Sequence, residues 1–234
     1  MSLPANEVTL GISTTADRIP DLTIWPWPQG VSILVSVQGG MTTPLPPEVL
    51  VVNCDGPGVG PSRNTAIGHA DTEYLAFCDD DVVPNYEEIL RAVRRLHQSK
   101  YDFYLARLSD FEGNLRKSYS KSGKEAKHWN IGKVGTPEIL INVSSLRRTD
   151  VRFDHRFGAG TRRPVGDEMI FLSDCLSAGL RGQHISEIFG SHEARSSGID
   201  PHANLFWKRI LAGKRAFRGA KLPLFLLFIG KLVC

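Results

Sequence analysis

The sequence predicts an α/β domain, a Rossmann-like mixed and mostly parallel sheet flanked by helices, continuing into a C-terminal helical tail. Three observations predict it. Short apolar runs at residues 8–13, 31–37, 49–53 and 74–78 recur between polar or helical stretches. A glycine-rich turn, Asp55-Gly56-Pro57-Gly58-Val59-Gly60-Pro61, joins one such run to the next helix. The chain has 234 residues, 41% of them hydrophobic, which suits one sizeable domain with a full core.

Residues 8–13 form the first strand, which ends at Thr14-Thr15. Residues 31–37 form the second. The Trp25-Pro26-Trp27-Pro28 repeat between them must be loop, because proline blocks helix and central strand alike. Pro44, Pro46 and Pro47 make another rigid connection before the strand at 49–53. A helix over 62–70 follows the glycine turn. The run 74–78 is short, aromatic and bounded by polar residues, as a buried strand should be. Pro84 opens a helix to about Ser99, with Ile89, Leu90, Val93 and Leu96 at helical spacing. Residues 101–106 make a further strand. Residues 107–136 are polar and irregular, carry Lys117, Lys121, Lys124, Lys127 and Lys133, and read as a solvated or mobile loop. Residues 138–143 form a strand, and 166–178 a helix ended by Gly179.

Cys54, Cys78, Cys175 and Cys234 show no CxxC spacing, and two of them lie inside apolar runs. That points to a reducing compartment and away from a disulfide frame or zinc site. Residues 1–7 are short and polar and predict no secretory leader. The net charge of +3 hides an asymmetry. Seven of the 28 basic residues and none of the 25 acidic ones follow Asp200, so the first 200 residues hold 28 − 7 = 21 basic against 25 acidic. A basic tail on a mildly acidic domain points to an anionic surface.

Asp79-Asp80-Asp81 closes the apolar run at 74–78. Three carboxylates at the end of a buried strand repel one another, and a cation or several donors opposite relieves this. Carboxylates two residues apart suit a hard ion such as Mg²⁺ or Mn²⁺, above all one that also holds phosphates. A solvated acidic turn is the other reading.

The glycine turn offers backbone amides and a helix N-terminus to a phosphate. Asp79 lies about 20 residues on, the offset at which dinucleotide folds place a ribose-binding acid, so a Rossmann-type NAD(P)-binding oxidoreductase is an alternative. Against it, the spacing is G-x-G-x-G rather than G-x-G-x-x-G, Pro57 and Pro61 stiffen the turn, and three acids stand where one would serve. Arg63-Asn64 opens the following helix, either as an exposed arginine with a capping partner or as a planar fork reaching a diphosphate. Asp167-Glu168 begins another helix. The pair either complements the helix dipole or supplies a general base, positioned by the turns at Gly158-Ala159-Gly160 and Gly166. His192 is either structural or, with a metal near Asp81, a further ligand.

The order of these pieces resembles the family 2 nucleotide-sugar glycosyltransferases, which have the GT-A fold. Residues 58–64 through 73–81 are similar to that family's arginine-asparagine helix and DxD strand. Arg152-Phe153-Asp154 through Phe157-Gly158-Ala159-Gly160, then Gly166-Asp167-Glu168-Met169-Ile170-Phe171, resemble its acceptor-side loop and acidic-pair helix. His192-Glu193 with Ser196-Ser197-Gly198 resembles its metal-histidine loop. The likeness spans roughly residues 8–200 and implies a catalytic domain at 1–200 followed by the tail at 201–234.

The resemblance implies roles. Asp79 and Asp81 bind ribose and metal, Asp80 touches the sugar or ribose, and Thr14, Thr15 and Asp55 line the nucleoside pocket. Arg63 approaches the diphosphate, and His192 completes the shell of Mn²⁺ or Mg²⁺. The base is Asp167 or Glu168: register favours the second and residue type the first, because the family's usual order is Glu then Asp. The Trp-Pro repeat also departs from the family, standing where a full helix is usual. Implied is inverting transfer from a nucleoside-diphosphate sugar to a hydroxyl of a glycan or lipid-linked acceptor, in bacterial polysaccharide or glycolipid synthesis.

The run at 222–229 is eight residues long, against about 20 for a spanning helix. Behind Lys214-Arg215, Arg218 and Lys221 it predicts an anchor on an anionic leaflet, placing a cytoplasmic protein peripherally on the inner face of the membrane. A segment docked on the core is the other reading, and a non-catalytic membrane-docked nucleotide-binding module a third. Aromatic residues are few in the basic stretch, so no nucleic-acid partner is expected.

Overall fold

In a computed structural model of the chain, residues 8–22, 28, 30–40, 44–56, 58–193 and 205–216 are described. The apolar runs become strands, and the polar residues that end them gather at one edge of a sheet. β1 (Val8–Thr15) is buried along nearly its whole length and leads through a single 3₁₀ turn into the short helix α1 (Ile19–Leu22). β2 (Ser32–Gln38) and β3 (Val49–Cys54) follow, then α2 (Val59–His69) and β4 (Tyr74–Asp79). β5 (Val83–Pro84) is a two-residue strand before α3 (Tyr86–His97), and β6 (Phe103–Ser109) comes next. β7 (Ile139–Asn142) runs directly into α4 (Val143–Arg147). α5 (Asp167–Ser177), β8 (Gly182–Ser191) and α6 (Leu205–Ala216) complete the order.

The eight strands form one sheet in the order β3-β2-β1-β4-β7-β6-β8-β5. β3, β2, β1 and β4 are parallel; β7 is antiparallel to both its neighbours, and β6 and β8 are parallel again. Chain order reverses at β1, which has β2 on one side and β4 on the other. Open α/β sheets bind ligands at such a point, outside the carboxyl ends of the strands. The register sets Ser13 beside Asp79, so Thr14, Thr15 and the acidic triplet share that rim.

Alternation along each strand feeds two cores. In β4, Tyr74, Ala76 and Cys78 join the cluster under α3, whereas Leu75 and Phe77 join the one containing Phe153 and Phe171. The Phe153 and Phe171 rings stack at 4.1 Å, and Phe77 meets both edge-on. Gly11 lets α2 lie close on the sheet, since a Cβ there would stand 2.9 Å from Cβ of Ala66.

Several expectations change. Pro84 does not open α3: it pairs with Gly190, and Asn85 caps the helix by accepting from the Glu88 amide at 3.2 Å. The segment 107–136 is irregular but tied down. Ala126 and Ile131 are buried, and the Ala126 amide donates to the Gly182 carbonyl at 2.7 Å. Glu138, 2% exposed, accepts from Lys117, Tyr119 and the Gly135 amide, so one buried carboxylate gathers three points of the segment. Local composition hides such a long-range anchor.

α6 docks on α5. Arg215 reaches Asp154 at 2.9 Å and Asp174 at 2.8 Å, and Ser173 donates to the Ala216 carbonyl at 2.6 Å. Ala212 is fully buried against Gly166, where a Cβ would lie 2.4 Å from the alanine methyl. Trp25-Pro26-Trp27, Pro57, Ser196-Ser197-Gly198 and the apolar run at 222–229 lie outside the described residues. Among the described residues, no helix is long and apolar enough to cross a membrane. Cys54, Cys78 and Cys175 are buried free thiols.

Candidate active site

The acidic triplet sits where β4 ends, and its three carboxylates have different partners. Asp80 accepts from the Thr14 hydroxyl at 2.6 Å and pairs with Arg18 at 2.7 Å. Burial pushes its pKa up to about 6, against the pull of Thr14 and Arg18. Asp79 meets Arg63 at 3.1 Å. Its pKa is also raised, by burial first and in part by Asp81, with Arg63 opposing. Asp81 faces His192, whose Nε2 is 3.0 Å from the carboxylate.

The His192 geometry limits what lies between the two. Nδ1 is 2.7 Å from the Glu193 carbonyl, which only accepts, so Nδ1 carries a hydrogen. A neutral His192 then turns its Nε2 lone pair toward a carboxylate. A shared proton or cation removes that repulsion. The His192 amide donates to the Ser109 carbonyl at 3.0 Å, which fixes the histidine to β6.

Among the described residues, no three His, Cys, Asp or Glu side chains converge to hold an ion by themselves. Asp79, expected as a third ligand, is engaged by Arg63 instead, and Asp81 with His192 fit Mg²⁺ or Mn²⁺, ions that keep few protein ligands and take the rest from water and substrate phosphates.

Arg63 is neither exposed nor directed at open space. It is 4% exposed, and its two terminal nitrogens are engaged by Asp167 and Asp79. Its guanidinium also lies 5.6 Å from the centre of the Phe153 ring. Burial works against its charge, but Asp167 and Asp79 hold its pKa above the ordinary value. The sequence left an exposed arginine and a diphosphate partner both open; in the structure two carboxylates engage that fork.

Those contacts separate the two candidate bases. Asp167 is 3% exposed and ion-paired with Arg63. Glu168, next along α5, is half-buried and lines a cavity of about 760 Å³. Its pKa is pushed well above the ordinary 4.5, by burial and then by the charge of Asp167, with Arg63 opposing.

Thr15 donates to the Asp17 carboxylate in the turn after β1 and makes no side-chain cap to it. Asp55 is exposed just beyond β3. The glycine turn has fewer free donors than its composition suggests: the Gly58 amide donates to Gln38 at 3.0 Å and the Val59 amide to the Ala159 carbonyl at 3.1 Å. A dinucleotide phosphate would need those amides, so the oxidoreductase alternative loses its support. Arg18 and Gln38 went unread in the sequence, where neither belongs to a motif. A second cavity, of about 510 Å³ beside Thr9, Ser32, His69 and Asp71, opens at the start of the strands, away from the acidic triplet.

The family model for glycosyl transferase family 2 matches residues 34–165. No curated protein matches the chain. Among solved structures, S. aureus TarS 1–349 in complex with UDP-GlcNAc is similar at 14% identity and a TM-score of 0.65, over 97% of this chain and 71% of that one. S. aureus TarS is similar at 15% identity and a TM-score of 0.66, over 96% of this chain and 43% of that one. At such identities the likeness is one of fold.

Proposed function

The chain belongs to glycosyl transferase family 2, with the GT-A fold, and from that premise we propose metal-dependent, inverting transfer from a nucleoside-diphosphate sugar to an acceptor hydroxyl. The observation that carries this reading is the Arg63–Asp167 ion pair. It commits one acid of the pair and leaves Glu168 facing a cavity.

Glu168 takes the proton of the acceptor hydroxyl. The freed oxygen attacks the anomeric carbon from the face opposite the leaving group. A new C–O bond forms as the bond from that carbon to the phosphate oxygen breaks, and the nucleoside diphosphate departs. A raised pKa suits this role, because a base works best with its pKa near the working pH. Asp167 and Arg63 orient the start of α5.

Donor binding falls to the rim of β1, β3 and β4. Asp79, Asp80, Thr14, Thr15 and Asp55 line the nucleoside and ribose side, and Asp81 with His192 would hold Mn²⁺ or Mg²⁺. When bound, such an ion neutralises the charge that develops on the diphosphate. UDP-GlcNAc in the TarS complex supports a nucleotide-sugar as the donor class. The acceptor is a glycan or lipid-linked glycan of bacterial surface synthesis, and the basic, then apolar, tail associates with an anionic membrane. These last assignments rest on the family and on the tail's composition.

A thermal-shift screen of nucleotide-sugars with and without Mn²⁺ tests the reading. Stabilisation by a nucleotide-sugar that grows with Mn²⁺ is expected. Stabilisation by NAD(H) alone, with no effect of metal, overturns it.

A further inference from the structure

We propose that the cavity beside Glu168 is the acceptor subsite of a glycan carrying phosphate or carboxylate groups, with the anion set against Lys124 and Lys133 and a sugar ring lying on Trp129. The proposal rests on the reading of Glu168 as the base and adds the chemical class of what that base deprotonates.

Position comes first. The cavity of about 760 Å³ has Glu168 in one wall, residues of the segment 117–135 in much of the rest, and Ala106, Glu138, His184 and Ala212 among the others. Pockets of roughly 300–1,000 Å³ take ligands of several rings' size. None of Asp79, Asp80 or Asp81 lines it, so its lining is distinct from that of the donor rim.

Charge comes second. Three lysines line the cavity, and they are not equivalent. Lys117 is neutralised by Glu138 at 2.6 Å. Lys124 and Lys133 are exposed and, among the described residues, have no carboxylate within ion-pair distance. The nearby acid Glu125 is taken up outside the cavity, by Lys127 at 2.8 Å and Arg181 at 3.5 Å. Once Glu138 is counted against Lys117, two free ammonium groups face one acid, Glu168. His184, also in the wall, stays neutral near pH 7, since burial and then Lys124 lower its pKa to about 4.

Shape comes third. Trp129 is 53% exposed, a large apolar ring left open at the cavity wall. An apolar face beside a few fixed polar groups suits a sugar, which presents CH faces and hydroxyl edges. The walls are fixed in advance. The His184 amide donates to the Lys124 carbonyl at 2.9 Å, tying that lysine's backbone to β8. Asn130 Oδ1 accepts from the Lys127 amide at 2.9 Å and from His184 Nε2 at 3.2 Å, and Ile131 is fully buried. Little ordering is left for binding to complete.

Calorimetric titration of the full chain with three oligosaccharide probes tests this: neutral maltotetraose, maltotetraose bearing a terminal phosphate, and tetragalacturonate. At low salt, at least one anionic probe should bind about tenfold more tightly than the neutral one, and the gain should shrink as salt rises. Whichever anionic probe shows the gain identifies the group as phosphate or carboxylate. Lys124→Gln with Lys133→Gln should bring the anionic affinity down to that of the neutral probe. Lys121→Gln with Lys127→Gln, in the same segment but outside the cavity wall, should keep the preference. Trp129→Ala should weaken every probe. Equal binding of charged and neutral probes overturns the proposal, and so does a preference that survives loss of Lys124 and Lys133 or disappears with Lys121 and Lys127. The base reading fails separately: if Glu168→Gln turns over at the wild-type rate, that reading falls, whatever the probes show.

Discussion

Arg63 and Asp167, 104 positions apart, form a buried ion pair that joins the start of α2 to the start of α5. The other terminal nitrogen of the same arginine meets Asp79, so the end of β4 is tied to the helix that carries Glu168. The proposed donor rim and the candidate base thus share one support. Removing one partner of a buried pair leaves an uncompensated charge, which costs about 3–5 kcal/mol. Arg63→Ala should lower the unfolding free energy by about that much in urea titration. Arg63→Met with Asp167→Leu should lose less than the single variant. A single variant as stable as wild type would show that the pair holds nothing.

Glu168→Gln should lower kcat by about 10²–10⁴-fold, the usual worth of a general base. Donor binding, measured by calorimetry, should stay close to wild type, because Glu168 lies outside the donor rim. A loss confined to KM would assign Glu168 to binding instead.

The same glutamate sets a pH dependence. Its folded-state pKa lies above the ordinary 4.5, so the folded protein holds this proton more tightly than the unfolded chain. The stability it contributes is complete below 4.5 and is lost as pH rises through the folded value. Activity runs the opposite way, since only the carboxylate accepts a proton. We expect kcat/KM to keep rising above pH 5, with an apparent pKa well above 4.5, and Glu168→Gln to flatten the matching fall in unfolding free energy. A rate profile already level at pH 5 would contradict this.

Asp81→Ala should abolish the Mn²⁺-dependent part of nucleotide-sugar stabilisation in a thermal-shift assay and leave the far-ultraviolet circular dichroism unchanged. Turnover at the wild-type rate with added Mn²⁺ would remove Asp81 from the metal site.

Gly166 and Gly179 make a controlled comparison, with φ of 89° and 91° respectively. Alanine at either position carries about 1–2 kcal/mol of left-handed backbone strain. At Gly179 the space is open, whereas at Gly166 the new methyl would meet Ala212 at 2.4 Å. Gly166→Ala should therefore be clearly the more destabilising in thermal unfolding. Equal losses would mean that α6 yields without resistance.

The strands were legible because each is a short apolar run bounded by turn residues, and the acidic triplet because three like charges at the end of such a run are costly. The 3.6-residue pattern of α3 was equally plain, although the helix starts two residues beyond Pro84, which β5 claims. Long-range partnership was not legible. Arg63 reads as an exposed helix-start arginine, since its partner Asp167 lies far along the chain. The segment 107–136 reads as free loop because Glu138, which gathers it, looks like an ordinary strand-edge acid. The base ambiguity had the same origin: Asp167 and Glu168 differ little as neighbours in sequence, but one faces an arginine and the other a cavity.

The seat of α6 bears on how the protein can be shortened. A version cut at residue 200, at the natural break in charge, would look like a tidy catalytic piece. It would lack the alanine that fills the notch at Gly166 and the arginine shared by Asp154 and Asp174, and it would gain a hole in the wall behind Glu168. Low activity in such a truncation would report a damaged pocket, and would say nothing about what the tail attaches to.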